Sequence, residues 1–142
     1  MISQRCRYAL KAMLNLARWD QPNPKDVATI ATEEDIPRKF LEGIMSELRQ
    51  SRFVEAQRGK TGGYRLARPA ELITFGEIMR VVDGPLALLP CVSQNFYRRC
   101  EDCKNERACE LRRVMGQVRR ETSDILDRTT LADATAARAA PV

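Results

Sequence analysis

The sequence predicts a mainly α protein: a winged helix-turn-helix domain followed by a long C-terminal helix. Three observations predict it. Two helical stretches are joined by a tight turn that ends in Ile36-Pro37. A glycine-rich basic hairpin, Arg58-Gly59-Lys60-Thr61-Gly62-Gly63, follows the second of them. Finally, Leu111, Val114, Met115, Val118, Thr122, Ile125 and Leu126 recur every three or four residues among charges.

Taken in order, residues 4–19 form the first helix, with Tyr8, Ala9, Ala12, Met13, Leu16 and Ala17 on one stripe. Cys6 near its start reads as a small, part-buried thiol. Asn23-Pro24 starts the next helix, Asn as cap and Pro in the first turn, where a missing N–H costs nothing. The acidic run Glu33-Glu34-Asp35 is the turn. Pro37 opens the third helix, which continues to about Ser51 with Phe40, Leu41, Ile44, Met45 and Leu48 inward. Its opposite face is polar and basic, the pattern of a recognition helix. Gly43 on that face would allow close approach to another backbone, or is simply an exposed position.

Strands at 53–57 and 64–66 flank the hairpin, whose glycines supply positive-φ positions for a tight turn. A basic hairpin placed there is a wing, suited to phosphates or the minor groove. Thr74 and Glu77 have capping-box spacing and start a helix that Asp83-Gly84-Pro85 stops. Leu86 to Pro90 is an apolar loop expected to pack on the core. The last long helix starts near Cys109, and its seam suits a symmetry mate ahead of the chain's own first helix. Thr129 to Asp133 caps a last short turn.

Charge sharpens the picture. The formal net charge is +5. Between Pro37 and Pro69 stand eight basic residues against three acids, so the excess sits on one helix and one hairpin. That is the footprint of a polyanion binder, with a solvated basic face as the bland alternative. No apolar run approaches the roughly 20 residues that cross a bilayer, and no signal peptide is legible, so a cytoplasmic location is expected.

Four of five cysteines fall within one polar segment: Cys91, Cys100, Cys103 and Cys109, spaced C-x8-C-x2-C-x5-C. In a reducing compartment such a cluster points to metal or redox chemistry rather than a structural disulfide. Thiolates are soft ligands and suit an iron–sulfur cluster or zinc; metal-free thiol switching remains a third option. Arg98, Arg99, Lys104 and Arg107 are expected to lower the thiol pKa values.

Six pieces in order carry a resemblance: RYALKAMLNLA, IPRKFLEGIMSELRQSRFV, RGKTGGYRLARP, ITFGEIMRVVDG, the cysteine segment and TTLAD. Together they resemble the Rrf-type family of winged-helix regulators, which includes IscR-, NsrR-, RirA- and CymR-type proteins. The resemblance implies a homodimeric transcription factor, its long helix crossing to the partner and its DNA affinity set by the cysteine loop. Iron–sulfur members of the family commonly use three cysteines and a fourth ligand, such as a histidine or an acid near the first helix. This chain has no histidine, and Arg7 rather than an acid precedes Tyr8. Cys91, Cys103 and Cys109 match the family's three. Cys100 is additional and either completes an all-cysteine site or competes with Cys103.

The resulting expectation is a DNA-binding regulator of a palindromic operator, controlled by a [2Fe–2S] or [4Fe–4S] cluster, with zinc as the alternative metal. Arg38, Lys39, Glu42 and Ser46 face the major groove, and Arg58, Lys60 and Thr61 serve the wing. The expected division is residues 1–84 for DNA binding, 85–108 as sensor, 109–133 as dimerisation helix and 134–142 as a flexible tail. An enzyme is disfavoured, because no nucleophile–base pairing appears and Gly59 to Gly63 lies between strands rather than before a helix. A regulator controlled by a protein partner is the remaining alternative.

Overall fold

The computed structural model describes residues 1–136. Six α-helices carry the fold: α1 (Gln4–Ala17), α2 (Val27–Glu34), α3 (Arg38–Gln50), α4 (Phe75–Val82), α5 (Glu110–Arg128) and α6 (Leu131–Ala136). One antiparallel hairpin, β1 (Val54–Gln57) and β2 (Gly63–Leu66), projects between α3 and α4. The mainly α winged helix-turn-helix is therefore the observed fold class.

α1 is the central post. Ala9, Ala12, Met13 and Leu16 on its inner face are buried, and Leu41, Ile44, Met45 and Leu48 of α3 join them in one core. Cys6 is fully buried there, and burial, with Asp83 alongside, pushes its thiol up to about 11. It is an inert packing group. Phe40 departs from the expected stripe: it stands exposed beside α1, edge-on to Tyr8 at 5.7 Å between ring centroids.

α2 begins three residues later than the Asn-Pro signal suggests. Asp26 is its N-cap, accepting from the Thr29 N–H at 2.9 Å. The preceding residue is held elsewhere: Lys25 forms a two-way backbone bridge with Tyr64 of β2, at 2.9 and 2.8 Å. Extended pairing to the wing thus wins over helix at that point. The turn from α2 to α3 closes through Asp35 in the left-handed region (φ 54°), which an Asp side chain tolerates, and Ile36 drops into the core.

At the wing only Gly59 (φ 112°) meets the expectation that glycine supplies positive φ. Gly62 and Gly63 are there for space instead. A Cβ on Gly63 would lie 2.3 Å from the Lys25 carbonyl oxygen, and one on Gly62 2.3 Å from that of Gln57. Gly43, by contrast, faces open space.

The capping box at α4 is present: Thr74 and Glu77 satisfy each other's backbone N–H groups. The apolar loop after α4 divides, with Leu86 packed on the core and Leu88 exposed. α5 leaves the core as an arm, but the chain returns. Leu131 of α6 is fully buried, and its N–H bonds the Ile73 carbonyl at 2.9 Å. α6 extends to Ala136, so residues 134–136 are helical where a tail was expected. The rest of that expected tail, 137–142, lies outside the described residues.

Candidate nucleic-acid interface and cysteine sensor

α3 presents Arg38, Lys39, Glu42 and Ser46 on its exposed face, as the spacing requires. Arg38 Nε reaches Glu42 Oε1 at 3.2 Å, an i,i+4 pair that presets both side chains on the surface. Wing residues Arg58, Lys60 and Thr61 are exposed at the hairpin tip. The wing is tied to the body by the Lys25–Tyr64 bridge and by Arg68, which lies 5.4 Å from the Phe53 ring centroid and 3.5 Å from Glu77. Lys25 is itself buried, its ammonium donating to Asn15 at 2.7 Å and Glu33 at 2.5 Å, so the base of the wing rests on a paired internal charge. The sequence reading missed this anchor: its buried partner, Asn15, lies ten residues upstream in α1, and Glu33, on α2, is exposed.

The cysteine segment is irregular, as expected, apart from a 3-10 turn at Pro90–Val92. Cys91 on that turn is buried, and the turn packs on α5, where Val92 comes within 3.8 Å of the place a Cβ on Gly116 would occupy. At the other end Cys109 is the N-cap of α5, its Sγ accepting from the Arg112 N–H at 3.4 Å. Both ends of the loop are therefore fastened to one helix.

Between them the Cys100 thiol lies near Cys91. Cys91 first, then desolvation and the nearby Asp102 and Cys103, push its pKa up. The expected lowering by neighbouring cations does not hold for Cys100. Arg99 is occupied, donating to the carbonyls of Cys103 and Lys104 at 3.0 and 3.3 Å. All five cysteines are free thiols. Among the described residues no three Cys, Asp or Glu side chains converge closely enough to hold a metal ion. The structure thus places Cys100 near Cys91 and Cys103, and uses Cys109 as the cap of α5. One further feature belongs to this site. Arg112 Nε is buried and has no hydrogen-bond partner among the described residues.

A recognition helix, a basic wing and a packed three-helix support define a winged-helix DNA-binding regulator of transcription. The chain belongs to the Rrf2 family, described as iron-dependent transcriptional regulators, whose pattern matches residues 2–137. It is 41% identical over 140 residues to an rrf2-like HTH-type transcriptional regulator of Rhodobacter capsulatus, spanning 96% of this chain and 93% of that one. Two solved structures share its fold. CymR, the global cysteine regulator of B. subtilis, superposes with a TM-score of 0.79 at 31% identity, covering 96% of both chains. IscR of T. potens superposes with a TM-score of 0.76 at 27% identity, covering 100% of this chain and 93% of that one. These relatives are regulators rather than enzymes. No helix among the described residues is long and apolar enough to cross a membrane.

Proposed function

We propose that this regulator acts in the cytoplasm as a homodimer on a palindromic operator, with the cysteine loop as the sensor that sets its DNA affinity. The single observation that carries the sensor reading is the double attachment of the loop to α5, at Val92 against Gly116 and at the Cys109 cap. A change in the loop is thereby a change in α5. α5 in turn positions two DNA-binding units on half-sites about one helical turn, ~34 Å, apart, where small shifts in spacing weaken binding.

Dimerisation is supported by the outer face of α5. Leu111, Val114, Val118 and Ile125 are exposed in one row, while Met115 and Leu126 turn inward. Met1, Ile2, Leu86 and Leu88 line a groove of about 550 Å3 beside Val118 and Thr122. The α5 helix of a second copy would cover both.

The donor set fits an iron–sulfur cluster in kind, and a buried, unpartnered Nε on Arg112, whose backbone N–H bonds the Cys109 sulfur, suits an anionic neighbour. Cys91, Cys103 and Cys109 would hold the cluster, with Cys100 as a fourth thiolate, once the loop draws Cys109 and Cys103 toward the Cys91–Cys100 pair. When bound, it supplies a redox-active centre that reports iron, oxygen, peroxide or nitric oxide. Zinc would use the same thiolates without redox chemistry.

The proximity of Cys100 to Cys91 favours a second reading, a metal-free switch. There both thiols lose their hydrogens to hydrogen peroxide, one S–S bond forms, and the peroxide O–O bond breaks to give two waters.

Protein prepared without air from iron-replete cells tests the choice. The cluster reading expects visible absorption, matched iron and sulfide, and a gel shift on the promoter of its own gene that changes when the metal is removed. Colourless protein lacking both elements removes that reading and leaves the thiol pair.

A further inference from the structure

A cleft of about 750 Å3 opens between the C-terminal end of α3 and the hairpin. Its walls carry Arg49, Arg52, Arg65 and Arg68, and Val54 and Ala67 contribute apolar surface. None of these belongs to the recognition or wing-tip residues named above. Its volume lies within the range of small-ligand sites, roughly 300–1,000 Å3.

Two of the four arginines are already engaged. Arg65 pairs with Glu55 at 3.3 Å, and Arg68 donates to the Leu72 carbonyl at 3.2 Å while facing Phe53 and Glu77. Arg49 and Arg52 have no acidic partner among the described residues.

Arg52 is the informative one. α3 ends in a paired motif: the Arg52 N–H bonds the Arg49 carbonyl at 3.0 Å, and the Phe53 N–H bonds the Leu48 carbonyl at 2.9 Å. That motif puts Arg52 in the left-handed region (φ 62°), where glycine is the favoured residue. The chain bears this backbone strain and gains a guanidinium on the cleft wall. Strain of this kind clusters at ligand sites. Guanidinium forks match the oxygen geometry of phosphate better than any other side chain.

We propose that this cleft binds a phosphate group, with Arg49 and Arg52 as donors and Arg68 as a fixed neighbour. The group can come from a DNA backbone position beyond the recognition helix and wing tip, or from a free phosphorylated small molecule. Only the first source rests on the DNA-binding reading.

Arg52→Gly is a discriminating variant because it relieves the strain while removing the guanidinium. It should raise the melting temperature by about 3 °C. Inorganic pyrophosphate is titrated into the full chain by calorimetry, and affinity for a DNA duplex is measured across salt concentrations. A free-ligand site shows pyrophosphate binding that Arg52→Gly and Arg49→Ala each weaken about tenfold. A backbone site shows a DNA salt slope lower by about one in each variant. Either result, or both, supports the phosphate site. Arg52→Gly protein that is more stable but unchanged in both measurements overturns it. If the chain fails to bind DNA at all, the pyrophosphate arm alone decides.

Discussion

Arg80 on α4 grips Asp127 on α5 through two parallel hydrogen bonds of 2.6 and 2.8 Å. α4 is also joined to the wing, since Glu77, on the same helix, lies 3.5 Å from Arg68. The clasp therefore links the arm that carries the cysteine loop to the unit that carries the recognition helix. A displacement of α5 passes to α4 through a geometry that has little slack.

Asp127→Asn should loosen that joint and lower stability by about 0.5–1 kcal/mol, given that both partners are partly exposed. The pH dependence has a definite sign. The Arg80 guanidinium holds the Asp127 carboxyl below its usual range. Its contribution is therefore complete above the unfolded value of about 4 and fades as pH falls through the folded value. Urea unfolding at several pH values should show wild type losing this increment in acid. The Asn variant should lack it, and identical acid profiles would remove the clasp from the account.

Gly63→Ala should damage the wing without touching a DNA contact. The new methyl would meet the Lys25 carbonyl and the Asp26 N–H, both backbone atoms that are already hydrogen-bonded or at a helix cap. The expected cost is about 1–3 kcal/mol. Thermal melts and DNA affinity should fall together, whereas Gly43→Ala, which meets nothing within 4 Å, should slightly stabilise the chain.

These elements show what could be read from the sequence and why. Periodicity revealed the helices, and the Thr74/Glu77 capping box was legible because its partners are three residues apart. Asn23-Pro24 misled, because the bridge from Lys25 to Tyr64 spans the fold and outweighs a local helix-start preference. Gly62 and Gly63 were assigned the wrong reason, since close approach to backbone carbonyls of Gln57 and Lys25 leaves no local signature. Phe40 fitted the stripe but sits at its edge, where Tyr8 of α1 meets the ring edge-on and leaves it exposed. The arginine cleft was hidden for the same reason: charge was countable, but Arg49 and Arg68 line one cleft only after the hairpin folds back.

Lys60→Ala should weaken binding to all duplexes alike and reduce the salt slope by about one, because a wing-tip lysine neutralises a phosphate without reading a base. Glu42→Ala should act differently. It removes the base-edge acceptor proposed for the recognition helix and frees Arg38 from its pair, so discrimination between operator and altered operators should shrink while affinity for nonspecific DNA rises. Titrations on matched and mismatched duplexes at several salt concentrations separate the two effects.

Cys109 performs a structural duty that a ligand test must not confuse with metal binding. Its Sγ caps α5. Serine is a stronger cap, so Cys109→Ser should keep or raise thermal stability, while Cys109→Ala should lose about 0.5–1 kcal/mol. On the proposed cluster reading, both should lose bound iron equally in protein prepared without air. Wild-type iron content in the serine variant would exclude Cys109 as a ligand.

The outer face of α5 yields the sharpest test of assembly. Leu111, Val114, Val118 and Ile125 are between 38% and 59% exposed, a contiguous apolar row that a monomer in water rarely keeps open. Because the row contributes nothing to its own core, Val118→Asp should leave the fold intact, with unchanged helix content. On the proposed pairing through α5, it should nevertheless hold the chain as a monomer in sedimentation. Affinity for a single half-site should then stay as in wild type. Affinity for the palindrome should fall by about a hundredfold or more, since the second half-site no longer benefits from the first. If Val118→Asp and Ile125→Asp both sediment as dimers and bind the palindrome normally, the two copies meet through some other surface, and α5 cannot transmit the state of the loop from one to the other.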